Sequence, residues 1–147
     1  MNPGDVFRWV DFPYPQIGQE IKSRWFIYLG NTTPFLHPVI AHICTTTTVK
    51  EDFEKGGRRE SHNCFRFERG KYPFDQECLL DFDEEPYPFS KRELESHKDI
   101  EVKGTLDHRT LRIIYEGIYR SNQYSRKIKA DIHESLNQIG ITSLRKI

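Results

Sequence analysis

The chain has 147 residues, 36% hydrophobic and 13% aromatic, with 22 basic and 22 acidic side chains and a mean hydropathy of −0.71. That length suits one domain with a single core, and the aromatic content argues against disorder. The zero formal charge excludes a uniformly basic nucleic-acid surface, and no apolar run approaches the ~18 residues that a membrane span needs.

Residues 4–12 read as a first strand, with Val6, Trp9 and Val10 as β-formers and Pro13 and Pro15 as stops. Residues 13–22 contain two prolines, Gly18 and charges, and read as a loop. Residues 24–30 are aromatic and apolar enough for a buried strand that ends at Gly30 and Asn31. Residues 34–38 turn the chain into a third strand over 39–45. The charged stretch 49–63, with Gly56 and Gly57, is expected to be a mobile loop.

Cys64 to Glu68 alternate apolar and charged side chains, as a half-exposed strand does, and residues 78–82 make a fifth strand. The two prolines between Glu84 and Phe89 mark a turn. Ser90 and Glu93 form a capping-box pattern for a short helix to Ser96, and 100–102 suit a short last strand.

The last third is helical in pattern. Leu111, Ile114, Tyr115 and Ile118 share one helix face, capped by Thr105 or Asp107. Tyr124, Ile128, Ile132, Leu136 and Ile139 form a second stripe, stopped by Gly140. Strands precede helices, so the class is mainly β or α+β. A small curled antiparallel barrel is expected over 1–104, with C-terminal helices over 105–147.

Charge is unevenly spread: residues 1–72 carry a net +2, 73–101 a net −7 and 102–147 a net +5. Lys55, Arg58, Arg59, Arg66, Arg69 and Lys71 are interleaved with Phe65, Phe67 and Tyr72. They read either as a local basic face or as a solvated loop and strand edge. Cys44, Cys64 and Cys78 are odd in number and lack paired spacing, which fits a reducing compartment. With no basic-then-apolar leader pattern, a cytoplasmic location is expected.

Three positions carry chemistry. Arg24 precedes a hydrophobic strand and is costly to bury alone, so it either pairs with an acid such as Asp11 or Asp83 or lines a groove. In a groove its guanidinium suits a phosphate or an oxyanion. Thr45 and Thr46 end the third strand; they are good strand residues, and their hydroxyls can also serve a phosphate oxygen. Asp83, beside Asp81, Glu84 and Glu85, is either part of a solvated acidic turn or one of several crowded carboxylates poised for proton transfer.

His42 sits in a strand pattern and is expected to pack there. No C-x₂₋₄-C element pairs with His62 and Cys64, and no EF-hand loop is present, so no metal or cofactor is expected. The absence of G-x-S-x-G, H-E-x-x-H, P-loop and dinucleotide motifs removes most common enzyme classes.

The order of these motifs resembles the PemK/MazF family of toxin endoribonucleases over roughly residues 3–120. Pro3-Gly4-Asp5-Val6 is similar to the family's opening, and Val10-Asp11-Phe12-Pro13 to its next loop entry. Lys22-Ser23-Arg24 resembles a K-x-R-P segment, with Arg24 on the catalytic arginine. Ile43-Cys44-Thr45-Thr46 resembles a V/I-x-T-S element, with Thr45 on the catalytic threonine. Residues 71–83 resemble a later strand, which puts Asp83 near an acidic position used in cleavage, and 94–106 resemble the run before the C-terminal helix. Trp25 stands where the family has proline, and Asp81 where some members have a second basic residue.

The resemblance implies an SH3-like barrel of the CcdB/PemK type and a homodimer. It implies metal-independent cleavage of single-stranded RNA to 2′,3′-cyclic phosphate and 5′-hydroxyl ends. It also implies an antitoxin protein over the groove. The expected site then has Arg24, Thr45 and Asp83 as catalytic residues, with Lys22, Ser23, Thr46, Arg58 and Arg59 holding substrate. Two other readings stay open: a non-catalytic nucleic-acid- or protein-binding module on the same barrel, and an assembly role for the C-terminal helices.

Overall fold

The computed structural model describes residues 1–13, 22–33, 35, 38–84 and 86–147. The loop expected over 13–22 lies, but for its two ends, outside the described residues, as do Pro34, Leu36 and His37 of the expected turn and Glu85 of the acidic run. Among the described residues there are seven strands: β1 (Asp5–Trp9), β2 (Arg24–Asn31), β3 (Ile40–Thr47), β4 (Cys64–Phe67), β5 (Cys78–Asp81), β6 (Tyr87–Ser90) and β7 (Ile100–Thr105). Three helices accompany them: α1 (Lys91–Ser96), α2 (His108–Arg120) and α3 (Arg126–Gln138).

The sheet runs β4-β5-β3-β2-β1-β7, with antiparallel pairs throughout. β3 divides its outer edge, pairing Ile40–Ile43 with β6 and Thr46–Thr47 with β5. The class is α+β, as expected. The sheet is open: no ladder among the described residues joins β7 to β4 or β6.

Strand alternation sorts the apolar residues onto two faces. Val6, Ile27, Leu29 and Cys44 point to one cluster, which α2 and α3 complete with Ile114, Tyr115, Ile118, Ile132 and Leu136. Their neighbours Phe7, Trp9, Phe26, Tyr28 and Ile43 point to the other, an aromatic cluster joined by Phe12, Phe89 and Leu94. Each fully buried Leu, Ile or Phe contributes about 1.5–3 kcal/mol, so two covered faces give the sheet most of its stability.

The helices start where their caps place them. Ser90 accepts from Glu93 N at 3.0 Å, Asp107 from Thr110 N at 2.7 Å and Ser125 from Ile128 N at 3.2 Å. α3 ends in a Schellman arrangement. Gly140 takes φ +93°, its N–H bonds Asn137 O at 3.0 Å, and Ile141 N bonds Leu136 O at 3.0 Å.

Two expectations change. Residues 87–89, expected in a turn, belong instead to β6, because Ala41 and Ile43 offer them a free strand edge. The 49–63 stretch is folded on itself. A 3₁₀ turn spans Lys50–Phe53, and Arg59 N bonds Asp52 O at 2.8 Å.

Candidate phosphodiester-binding site

Register brings the expected residues to one end of the sheet. Phe26 pairs with Thr45 across β2 and β3, so Arg24 and residues 45–47 converge where these strands end. They line a hollow of about 120 Å³ with Lys22, Val49, Asp52, Arg58, Arg59, Glu84 and Tyr87. A larger hollow of about 270 Å³ adjoins it, sharing Lys22, Arg24, Thr46, Thr47 and Val49 as walls. Ser23 and Trp25 line that second space together with Phe74, Asp75, Gln76 and Cys78.

Arg24 lies with its guanidinium carbon 5.8 Å from the centre of the Phe12 ring. The Thr45 hydroxyl donates to Trp25 O at 3.2 Å. To donate to a phosphate oxygen it must release that carbonyl; as it stands it presents lone pairs.

Arg59 ties the far wall together. Its guanidinium lies 3.8 Å from Asp52 Oδ2, 3.4 Å from Asp81 Oδ2 and 3.5 Å from Glu84 Oε2. Arg58 Nε donates to Asp52 Oδ2 at 3.1 Å. Asp81 is buried and is held further by His62 Nδ1 at 2.8 Å and by Asp83 N, which donates to Oδ1 at 2.8 Å. Burial pushes the Glu84 carboxyl above its ordinary value. Arg59 opposes that rise and Asp81 adds to it.

Six of the eight sequence-derived residues therefore meet at the smaller hollow, and Ser23 borders the larger. Asp83 lines neither. Its carboxylate instead accepts from Asn63 N at 2.9 Å and fixes the entry to β4. Glu84, one residue on, faces the hollow. The acidic run 81–85 was the signal for it, but the run alone could not say which carboxylate turns inward.

In the basic and aromatic stretch 55–72, Arg58 and Arg59 reach the smaller hollow, while the rings are taken up by packing and two of the cations by ion pairs. Phe67 is buried, Phe65 and Tyr72 pack on the first core cluster, Arg66 pairs with Glu77, and Lys71 pairs with Glu68. Two of the three cysteines, Cys44 and Cys78, are buried, and Cys64 is exposed. Burial pushes the Cys44 thiol up to about 12 and Cys78 up to about 11, so both stay protonated near neutral pH.

Two contacts join α3 and its approach to the same strand that carries Thr45. His42 Nε2 lies 3.0 Å from Asp131 Oδ2, and Cys44 Sγ lies 2.8 Å from Tyr124 Oη. His42 is buried, as its strand pattern suggested. Among the described residues no three His, Cys, Asp or Glu side chains converge as a metal site. No protein-family model matches this chain, and no curated protein or solved structure matches it significantly.

Proposed function

We propose that the protein is an endoribonuclease of the PemK/MazF type, cutting single-stranded RNA without a metal to 2′,3′-cyclic phosphate and 5′-hydroxyl ends. The observation that carries this reading is the shared hollow of Arg24, Thr45, Lys22 and Glu84 at the ends of β2 and β3. A guanidinium and a hydroxyl there suit the non-bridging oxygens of a phosphodiester, whose charge grows in the transition state.

Glu84 takes the proton of the 2′-hydroxyl as its oxygen bonds to phosphorus. The bond from phosphorus to the 5′ oxygen breaks, and that oxygen leaves with a proton from water in the open hollow. Arg24 holds the developing charge, and Thr45 and Thr46 position the phosphate. Lys22, Arg58 and Arg59 give the wall its positive field, with Ser23 at the rim. On this reading the curled sheet is an opened SH3-like barrel of the CcdB/PemK kind. The protein works as a cytoplasmic homodimer, and a cognate antitoxin covers the groove.

The test is cleavage of end-labelled single-stranded RNA in EDTA. Wild-type protein yields cyclic-phosphate ends, and Arg24→Ala, folded by circular dichroism, loses about 10²–10³-fold in rate. Equal cleavage by Arg24→Ala rejects the assignment. RNA bound by wild type without any cleavage would instead favour the binding-module reading. That reading draws on the Thr45 hydroxyl already donated to Trp25 O.

A further inference from the structure

We infer that the larger hollow is a nucleobase subsite, walled by Trp25 and suited to guanine. The inference rests on the phosphodiester reading of the smaller hollow, and it says what lies next to that phosphate.

The two spaces adjoin, with Lys22, Arg24, Thr46, Thr47 and Val49 bordering both, as a phosphate and its neighbouring base require. Their sizes differ in the matching sense: about 120 Å³ for the phosphate side and about 270 Å³ for the ring side. Trp25 is partly buried against the first core cluster, with the nearly buried Phe74 ring centred 5.7 Å away. A wall ring held from behind keeps little freedom to lose when a base settles on it.

The rim chooses among bases. Asp75 and Gln76 are exposed, and among the described residues their side chains make no hydrogen bond or ion pair. A carboxylate only accepts, and with two oxygens it matches two adjacent donors. Guanine offers such a pair, N1–H and N2–H, on its Watson–Crick edge, and the Gln76 amide can donate to O6. The same Asp75 charge repels a second phosphate, which separates this hollow from its neighbour in kind.

The chain gives its own probe. It has two tryptophans, and Trp9 is fully buried in the aromatic cluster, so a ligand in the groove alters Trp25 emission alone. Full-length protein is titrated with the 3′,5′-bisphosphates of the four ribonucleosides, with ribose 5-phosphate and with inorganic phosphate. Emission and calorimetry are both read. Guanosine bisphosphate is expected to quench most and bind tightest. Trp25→Ala weakens it about fivefold or more, while inorganic phosphate is held as before. Trp25→Phe keeps an aromatic wall and most of the affinity, which separates lost stacking from misfolding. Asp75→Asn narrows the gap between guanosine and uridine.

If nucleotides bind no better than ribose 5-phosphate while phosphate binding still depends on Arg24, the base subsite is rejected and the phosphate site stands. If all four bisphosphates bind equally and Asp75→Asn changes nothing, the guanine assignment is rejected. If neither phosphate nor nucleotides bind, the phosphodiester reading fails and takes this inference with it.

Discussion

Glu84 Oε2 stands 3.5 Å from Nη1 of Arg59, on the wall of the hollow that Arg24 also lines. A carboxylate there is drawn two ways. Burial favours its protonated form, and the nearby guanidinium favours the charged one. Burial is the larger effect, so its pKa lies above the ordinary 4.5. In the proposed cleavage Glu84 is the general base, and it must be ionised to act. The cleavage rate should therefore fall as pH drops through that raised value, giving an acidic limb displaced above the usual carboxylate range. Glu84→Gln removes the limb and costs about 10²–10⁴-fold in rate, while Asp83→Asn retains the rate. A pH profile of the three proteins checks this; a displaced limb surviving in Glu84→Gln assigns the proton to another group.

The same arginine has a structural role that Arg58 lacks. Asp81 is almost wholly inaccessible, and Arg59 and His62 share its Oδ2. Arg59→Met leaves that carboxylate with fewer partners. Losing one partner of a fully buried pair costs about 3–5 kcal/mol. His62 and the Asp83 N–H remain here, so we expect about 2 kcal/mol. The Arg58 side chain is 67% exposed, and its pair with Asp52 is screened by water. Arg58→Ala should then change stability by less than about 0.5 kcal/mol. Urea unfolding of both variants measures the contrast, and equal losses would contradict it.

The elements that sequence made legible are those whose signal is local. The Ser90, Asp107 and Ser125 caps and the Leu111–Ile118 and Ile132–Leu136 stripes lie within a few residues of their partners. β6 was hidden because Pro86 and Pro88 read as turn residues, and only a distant edge at Ala41 gives Tyr87 and Phe89 something to pair with. The site was half legible for a similar reason. Arg24 opens β2 and Thr45 lies near the end of β3, places that sequence shows to within two residues. The choice between Asp83 and Glu84 depends on which way each residue turns after β5, which sequence does not show. The pairing of His42 with Asp131 spans 89 positions, and no local pattern announces it.

That pairing makes stability depend on pH. His42 on β3 is buried against Asp131, with Lys127 of α3 also acting on it, and burial lowers its pKa from the ordinary 6.5. Below 6.5 the unfolded chain binds a proton that the folded imidazole resists. The neutral ring's contribution is therefore complete above about pH 6.5 and is lost as pH falls through the window down to the folded value. Urea midpoints at about pH 7.5 and about pH 5.5 should differ more for wild type than for His42→Gln. The comparison cancels the other five histidines. Identical pH dependence in the two proteins would show that His42 titrates alike folded and unfolded.

Gly117 couples helix α2 to the strand end that carries Glu84. A Cβ at this position would sit 2.4–2.5 Å from three carbons of the Phe82 ring, well inside van der Waals contact. Phe82 is itself buried in the first core cluster, two residues before Glu84. In an exposed helix, Gly→Ala gains about 1 kcal/mol from propensity, but forced overpacking costs about 1–3 kcal/mol. The ring has neighbours on its other side, so overpacking should win and Gly117→Ala should lose about 1 kcal/mol. Pairing it with Phe82→Leu, which vacates the crowded space, should recover part of the loss. The displaced ring also pulls on the β5 exit, so cleavage by Gly117→Ala should fall under conditions where the protein remains folded. Unchanged stability in the single variant, or no recovery in the double, would mean that α2 shifts away without disturbing Phe82.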